Sequence, residues 1–222
     1  MADIADILNS VSTPAVHPST SDLQLLTRSY IAERCAPEIL PYPSLLMERT
    51  MARLRKQIEV VEEQTAASAD PGGGGAKSGF RLVVLQTEVE RWKWLVRGLL
   101  RARIAKIDKY PLHILQQSRD FLSPSELQYL QHHQALLSQH YAGSFLASFP
   151  PALQRLDDTA GGISMVDAPD LDSAVFVRAL RDVGTLRVEG TDTEIDVRKG
   201  DVWVVRWRTV RERVLEGEAE LV

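Results

Sequence analysis

Apolar residues recur at helical spacing through the first two thirds of the chain and at alternate positions through the last third. Leu23, Leu26 and Tyr30 share one face of a first helix over about Asp22–Cys35, with Ser19 and Ser21 available as N-caps. Pro37, Pro41 and Pro43 then turn the chain. A second helix is expected from about Ser44 to Gln64, where Met47, Met51, Leu54, Ile58 and Val61 alternate four and three apart, the spacing of a helix-packing seam. A third is expected from Phe80 to Lys109, stopped by Pro111. Its apolar residues (Val84, Leu85, Val89, Trp92, Leu95, Val96, Leu99, Leu100, Ile104 and Ile107) cover close to half the circumference. A helix lying on one core needs a stripe only somewhat over 100° wide, so this helix is expected to be buried on two sides, in part by another chain. Ser123-Pro124-Ser125-Glu126 is a capping box with Pro at its first helical position, and Leu127, Leu130, Leu137, Tyr141 and Phe145 continue that fourth helix toward Pro150-Pro151.

After Ile163 the period becomes two. Val175, Val177 and Ala179 alternate with Phe176, Arg178 and Leu180; Leu186 and Val188 with Arg187 and Glu189; Ile195 and Val197 with Asp196 and Arg198. Lys199-Gly200 marks a turn, and Val202-Trp203-Val204-Val205 reads as a strand buried on both faces. Thr209 and Glu212 form a second capping box for a short helix ended by Gly217, with Leu221-Val222 placed to close the sheet. The core of this part is expected from Val175, Val177, Val202, Trp203, Val204 and Trp207. About 60 residues with so small a core are marginal alone, so the module should lean on something else. The fold class is α+β: an all-helical (A) domain over 22–150, a linker over 151–163 and a small β-rich (B) domain over 164–222. Residues 1–21, rich in Ser, Thr and Pro, read as a mobile tail. Residues 65–79, with glycines at 72 to 75, read as a flexible loop.

Composition narrows function chiefly by exclusion. A net charge of −4 argues against binding nucleic acid with the whole surface but leaves room for a local basic patch. The single cysteine, Cys35, rules out a disulfide within the chain and fits a reducing compartment; in an apolar helical stretch it reads as core. No window reaches the roughly 20 apolar residues of a membrane span, and the acidic start MADIADIL is unlike a secretory signal. An intracellular setting is expected.

Catalytic and metal chemistry find little to work with. The glycine run lacks the GxxxxGK[ST] pattern and a preceding strand. His132, His133 and His140 are spaced one, seven and eight apart, unlike the i, i+4 spacing of zinc ligands on one helix, and read as solvated or packing residues. His17 falls in the tail and His113 in a turn after Pro111. No set of nucleophile, base and oxyanion donor assembles. The expectation is a protein without enzymatic activity, metal or cofactor.

The basic run of the third helix carries more. Arg91, Lys93, Arg97, Arg101, Arg103, Lys106 and Lys109 face only Asp108 as counter-charge. Such a run can be a solvated face, a nucleic-acid surface or a subunit interface. Trp94, Arg97 and Arg101 sit at i, i+3 and i+7 on the polar face, which leaves a tryptophan beside arginines unless a partner covers it. Arg103 and Lys106 fall inside the apolar arc, which invites acids from another element. The interface reading is preferred, with Trp92, Trp94, Arg97, Arg101, Arg103 and Lys106 as its residues; a helical nucleic-acid-binding adaptor is the alternative.

The same stretch, Glu90 to Ile114 (ERWKWLVRGLLRARIAKIDKYPLHI), resembles the signature helix of the Sld-five-type subunit of the GINS complex. RSYIAERCAPEILPY (Arg28 to Tyr42) is similar to that family's first-helix region, and LSPSELQYL (Leu122 to Leu130) to its next helix start. MVDAPDLDSAVFVR (Met165 to Arg178) and KGDVWVVRWRTVRERVLEGEAELV (Lys199 to Val222) resemble its C-terminal β module. The resemblance implies a scaffold in a nuclear heterotetramer of four related subunits. That tetramer would join the MCM ring and the Cdc forty-five protein as the eukaryotic replicative DNA helicase. The loop over 65–79 departs from the family pattern by its length. The tail residues Asp3, Ile4, Asp6, Ile7 and Leu8 resemble the short helical box by which such subunits dock on the trimeric Ctf-four/And-one hub, a helix-in-groove mode.

Overall fold

The computed structural model describes residues 18–69, 76–151, 154, 165–187 and 194–222. Helices α1 (Pro18–Cys35), α2 (Ser44–Ala69), α3 (Ala76–Lys109), α4 (Pro111–Gln117) and α5 (Pro124–Ser144) come first. Strands β1 (Ala174–Ala179), β2 (Gly184–Arg187), β3 (Glu194–Val197) and β4 (Val202–Arg206), helix α6 (Trp207–Leu215) and strand β5 (Ala219–Leu221) follow. The fold is α+β, helical first and β-rich second.

The helices outrun their expected ends. α1 starts at Pro18, so residues 18–21 belong to a helix and not to a tail. α2 continues to Ala69 and α3 begins at Ala76, which reduces the expected loop of 65–79 to residues 70–75, outside the described residues. Alanine and glutamine support the extension of α2, and Thr65 donates its hydroxyl to the Val61 carbonyl at 2.7 Å. The expected turn around His113 is instead a helix. Pro111 ends α3 but also occupies the first turn of α4, where its missing N–H costs nothing.

α3 has 34 residues, about 50 Å at 1.5 Å per residue, and runs through two cores. In the first, Val89, Trp92, Leu95, Val96 and Leu99 meet Leu26 of α1 and Leu46, Met47 and Leu54 of α2. In the second, Ile107 meets Ile39, Ile114 of α4 and Leu130 of α5. Gly98 admits the Tyr30 ring against α3; a β-carbon there would lie 2.9 Å from Tyr30 Cε2.

The β part is an antiparallel sheet of order β4-β1-β5 beside a β2-β3 hairpin. Val175, Val177, Ala219 and Leu221 point inward onto Trp207 and Val210 of α6 and onto Ala36, with Ala32 and Leu40 beside them. The support this module needed therefore comes from its own helical part, through α1 and the segment after it. Arg28 of α1 adds an ion pair to Glu220 of β5 at 3.1 Å.

Cys35, expected in the core, is exposed at the end of α1, and two further sequence expectations fail here for identifiable reasons. The capping box at Thr209 does not form. α6 opens at Trp207, whose N–H donates to the Ser173 carbonyl, while Arg208 N–H donates to that of Leu171, so a neighbouring loop satisfies the first turn. The other end behaves as Gly217 suggested. That residue has φ 74°, and Glu218 N–H returns to the Arg213 carbonyl while Gly217 N–H returns to that of Val214, a Schellman stop. The second failure is β4. Val202, Trp203 and Val204 do not form a buried core: Val202 is 58% exposed, Val204 55% and Trp203 39%. β4 is an edge strand with one neighbour, and among the described residues no second layer covers its outer face.

Because Trp207 is fully buried where the two parts meet, Trp207→Ala is expected to lower stability by about 3–5 kcal/mol. Denaturant unfolding of the variant against the parent chain measures this.

Candidate interaction surface

The six residues expected at an interface divide into two groups. Trp92 belongs to the first helical core, with its indole N–H donated to Glu88 at 3.3 Å and the Arg53 guanidinium 5.7 Å from its ring centre. Arg103 is completely buried, and Lys106 is largely so. These three face inward and are removed from the surface set. The acids that the arc invited come from this chain and not from a partner.

Arg103 is held from four directions. Its Nε and Nη2 donate to Glu126 of α5 at 2.7 and 3.1 Å, and its Nη1 donates to Glu33 of α1 at 2.9 Å. The remaining bonds go to the backbone carbonyls of Leu40 and Phe121 at 2.7 and 2.9 Å. Lys106 donates to Glu33 at 2.8 Å and to the Glu38 carbonyl at 2.7 Å. Glu38 in turn accepts the Trp207 indole N–H at 3.0 Å and pairs with Arg211 of α6. Three cations and three carboxylates thus neutralise one another at the junction of α1, α3, α5 and α6, which makes their burial tolerable. Burial pulls the Arg103 guanidinium toward lower pKa, but its bonds to Glu126 and Glu33 outweigh that and hold it above its ordinary value. For Lys106 burial wins, and its pKa falls below the usual lysine range despite Glu33.

Trp94, Arg97 and Arg101 remain outside. Trp94 is 60% exposed. Its ring stands edge-on to Tyr30 of α1, with centres 5.5 Å apart and planes at 74°. Together with Arg34, Glu90, Gly98 and Ala102 these residues line a groove of about 530 Å³ between α1 and α3. Of the α1 contribution, Tyr30 was read from sequence only as part of that helix's apolar face and Arg34 was not singled out; Gly98 in mid-helix was the available sign of a close approach.

Two further apolar surfaces lie open. One is a groove of about 980 Å³ between α2, α3 and the start of α5, lined by Met47, Met51, Val96, Leu100, Ile104 and Tyr129 among others. The second is the outer face of the sheet, where Phe176 and Val204 pair directly and are 58% and 55% exposed. Scattered exposed apolar residues are ordinary, but contiguous ones mark contact surfaces.

Among the described residues, no group of three or more His, Cys, Asp or Glu is placed to hold a metal, and no helix is long and apolar enough to cross a membrane. His133 stacks on Tyr129 with ring centres 5.8 Å apart. The tail residues Asp3, Ile4, Asp6, Ile7 and Leu8 lie outside the described residues.

The sequence of the helical part and that of the β part each match a family model, in order along the chain. One, described as the GINS complex protein helical bundle domain, matches residues 53–145. The other, described as the DNA replication complex GINS protein SLD5 C-terminus, matches residues 169–222. Relatives named DNA replication complex GINS protein SLD5 align over almost the whole chain. That of Chaetomium globosum is 49% identical over 99% of this chain and 100% of its own length. That of Yarrowia lipolytica is 33% identical over 99% of this chain and 85% of its own. The Schizosaccharomyces pombe protein is 32% identical over 93% of this chain and 96% of its own. The chain belongs to the SLD5 family of DNA replication GINS proteins.

Replacing Arg103 with Met strands Glu126 in the interior and leaves Glu33 to Lys106 alone, and is expected to cost about 3–5 kcal/mol. The combined Arg103→Met, Glu126→Gln variant removes the stranded charge while Glu33 keeps Lys106, and should recover most of that loss. Denaturant midpoints of the two variants decide it.

Proposed function

We propose that this protein is a structural subunit of the heterotetrameric GINS complex in the nucleus. There it would act with the MCM ring and the Cdc forty-five protein in the replicative DNA helicase, at initiation and during fork progression. The observation that carries the reading is kinship along the full chain, through both the helical and the β part, with proteins that bear that name. The open surfaces support it: Trp94 with Arg97 and Arg101, the methionine-lined groove, and the outer sheet face leave apolar area for neighbouring subunits. No catalytic role is assigned to this chain; ATP hydrolysis would belong to the ring.

The nucleic-acid alternative loses ground because two cations of the basic run, Arg103 and Lys106, are spent inside the fold, and Lys93 and Arg97 pair with Glu90. For the N-terminal segment the proposal is docking on the Ctf-four/And-one hub by Asp3, Ile4, Asp6, Ile7 and Leu8, the apolar residues standing at i, i+3 and i+4.

Co-expressed with three other GINS subunits, the chain should purify as a single 1:1:1:1 particle by native mass spectrometry. Trp94→Ala combined with Arg101→Ala should weaken that particle; unchanged co-purification of the double variant would remove this surface from the interface. For the tail, titration of the isolated hub with a peptide of about 15 residues, two or three helical turns or more, should show binding that Ile7→Ala with Leu8→Ala abolishes. Equal affinity of both peptides would contradict the docking role.

A further inference from the structure

We propose that the groove between α1 and α3 receives an acidic segment of a neighbouring subunit, with carboxylates on Arg34 and Arg101 and an apolar side chain on the face of Trp94. The proposal rests on the subunit reading above and adds the chemistry of the occupant.

The first ground is charge. Many arginines at the surface have carboxylates of their own: Arg49 and Arg53 with Asp22, Arg178 with Glu220, Arg208 with Asp172, Arg213 with Glu216 and Glu218. Others, such as Arg55 and Arg91, have none among the described residues, but the groove brings two such arginines together beside an exposed tryptophan. Arg34 donates to the Tyr30 hydroxyl at 3.3 Å, and its guanidinium lies 5.7 Å from the Tyr30 ring centre. Neither Arg34 nor Arg101 has a carboxylate within 4.0 Å among the described residues. Glu90 is the one acid lining the groove, and it is engaged with Arg97 at 3.2 Å and Lys93 at 2.8 Å. Two guanidinium groups are thus left to face an incoming anion, in a protein whose net charge is −4.

The second ground is shape. Tyr30 packs against the exposed Trp94 ring at a steep angle and buttresses it on the groove wall. A pre-set aromatic loses little entropy on binding. Gly98 makes this possible, because any side chain there would displace Tyr30. Tryptophan, tyrosine and arginine are the residue types that dominate binding energy at protein interfaces.

The third ground separates a peptide from a nucleic acid. A nucleic-acid track needs cations spaced along several phosphates. Here Arg97 and Arg101 are one helical turn apart, roughly 6 Å. Toward the start of α3 the next acids, Glu90 and Glu88, would repel a continuing polyanion. A short acidic segment seated on Arg101, eleven residues or about 16 Å along α3 from Glu90, needs no contact with those acids.

The test uses the reconstituted complex. Arg101→Lys places an amine where the guanidinium stood, and a zero-length carbodiimide couples amines only to adjoining carboxylates. Peptide mass spectrometry should find position 101 joined to an Asp or Glu of another subunit, and Arg34→Lys should join position 34 to the same short segment. Trp94→Ala should weaken that subunit's association at least about 30-fold, the effect of a hot-spot residue. Arg101→Glu should weaken it as well, with recovery when the coupled carboxylate is changed to Arg. A complex that assembles while positions 34 and 101 couple to no other chain overturns the proposal alone. So does single-stranded DNA that shields Trp94 from acrylamide quenching in the assembled complex. Failure of the unmodified chain to assemble with the other subunits overturns the subunit reading and this proposal together.

Discussion

The fold turns on one buried guanidinium. Arg103 gathers α1 through Glu33, α5 through Glu126, and the turns before α2 and α5 through the carbonyls of Leu40 and Phe121. A fully buried cation without partners is prohibitive; with all these acceptors it fixes the angles at which four segments meet. Glu126 has a double duty. The carboxylate that closes the capping box with Ser123 also takes two bonds from Arg103, so the start of α5 and the middle of α3 are set by one group. Through Lys106 and Glu38 the same network reaches Trp207 and Arg211, and hence the β module.

This arrangement determines what the surface has to offer. Arg103 and Lys106 are turned inward, where carboxylates of the same chain neutralise them. The helical and β parts cover one another at Ala36, Trp207 and Leu221. The apolar area left over is therefore not a deficit in the chain's own core but area facing outward: Trp94 on one side of α3, the methionine-lined groove beside it, and Phe176 with Val204 on the sheet. A scaffold subunit in an assembly needs such a division, with polar groups buried for internal geometry and apolar groups exposed for neighbours.

Much of this was legible in the sequence because the signals were local. The 3.6 and 2.0 periods placed the helices and β1, the Ser123 box marked α5 and Gly217 marked the end of α6. What was not legible depended on tertiary partners. The Thr209 box lost to loop carbonyls that reached α6 two residues earlier. The apolar run of β4 looked like a doubly covered strand, yet nothing in the run itself says whether its second cover belongs to the same chain. Arg103 and Lys106 were seen to be misplaced in an apolar arc, but the acids that answer them lie about 20 to 70 residues away in sequence, a separation no periodicity reports. Trp92 and Trp94 differ by two positions and point to opposite sides of α3; only Trp94 reaches the surface.

On the proposal made above, the exposed apolar groups are interface and the buried ionic network is internal. Hydroxyl-radical footprinting of the chain alone and in the reconstituted complex tests that claim side chain by side chain. Trp94, Phe176 and Met51 should oxidise in the isolated chain and become protected on assembly, whereas Trp92 and Trp207 should stay protected in both states. Equal oxidation of Trp94 and Phe176 in the free chain and in the assembled complex would contradict it.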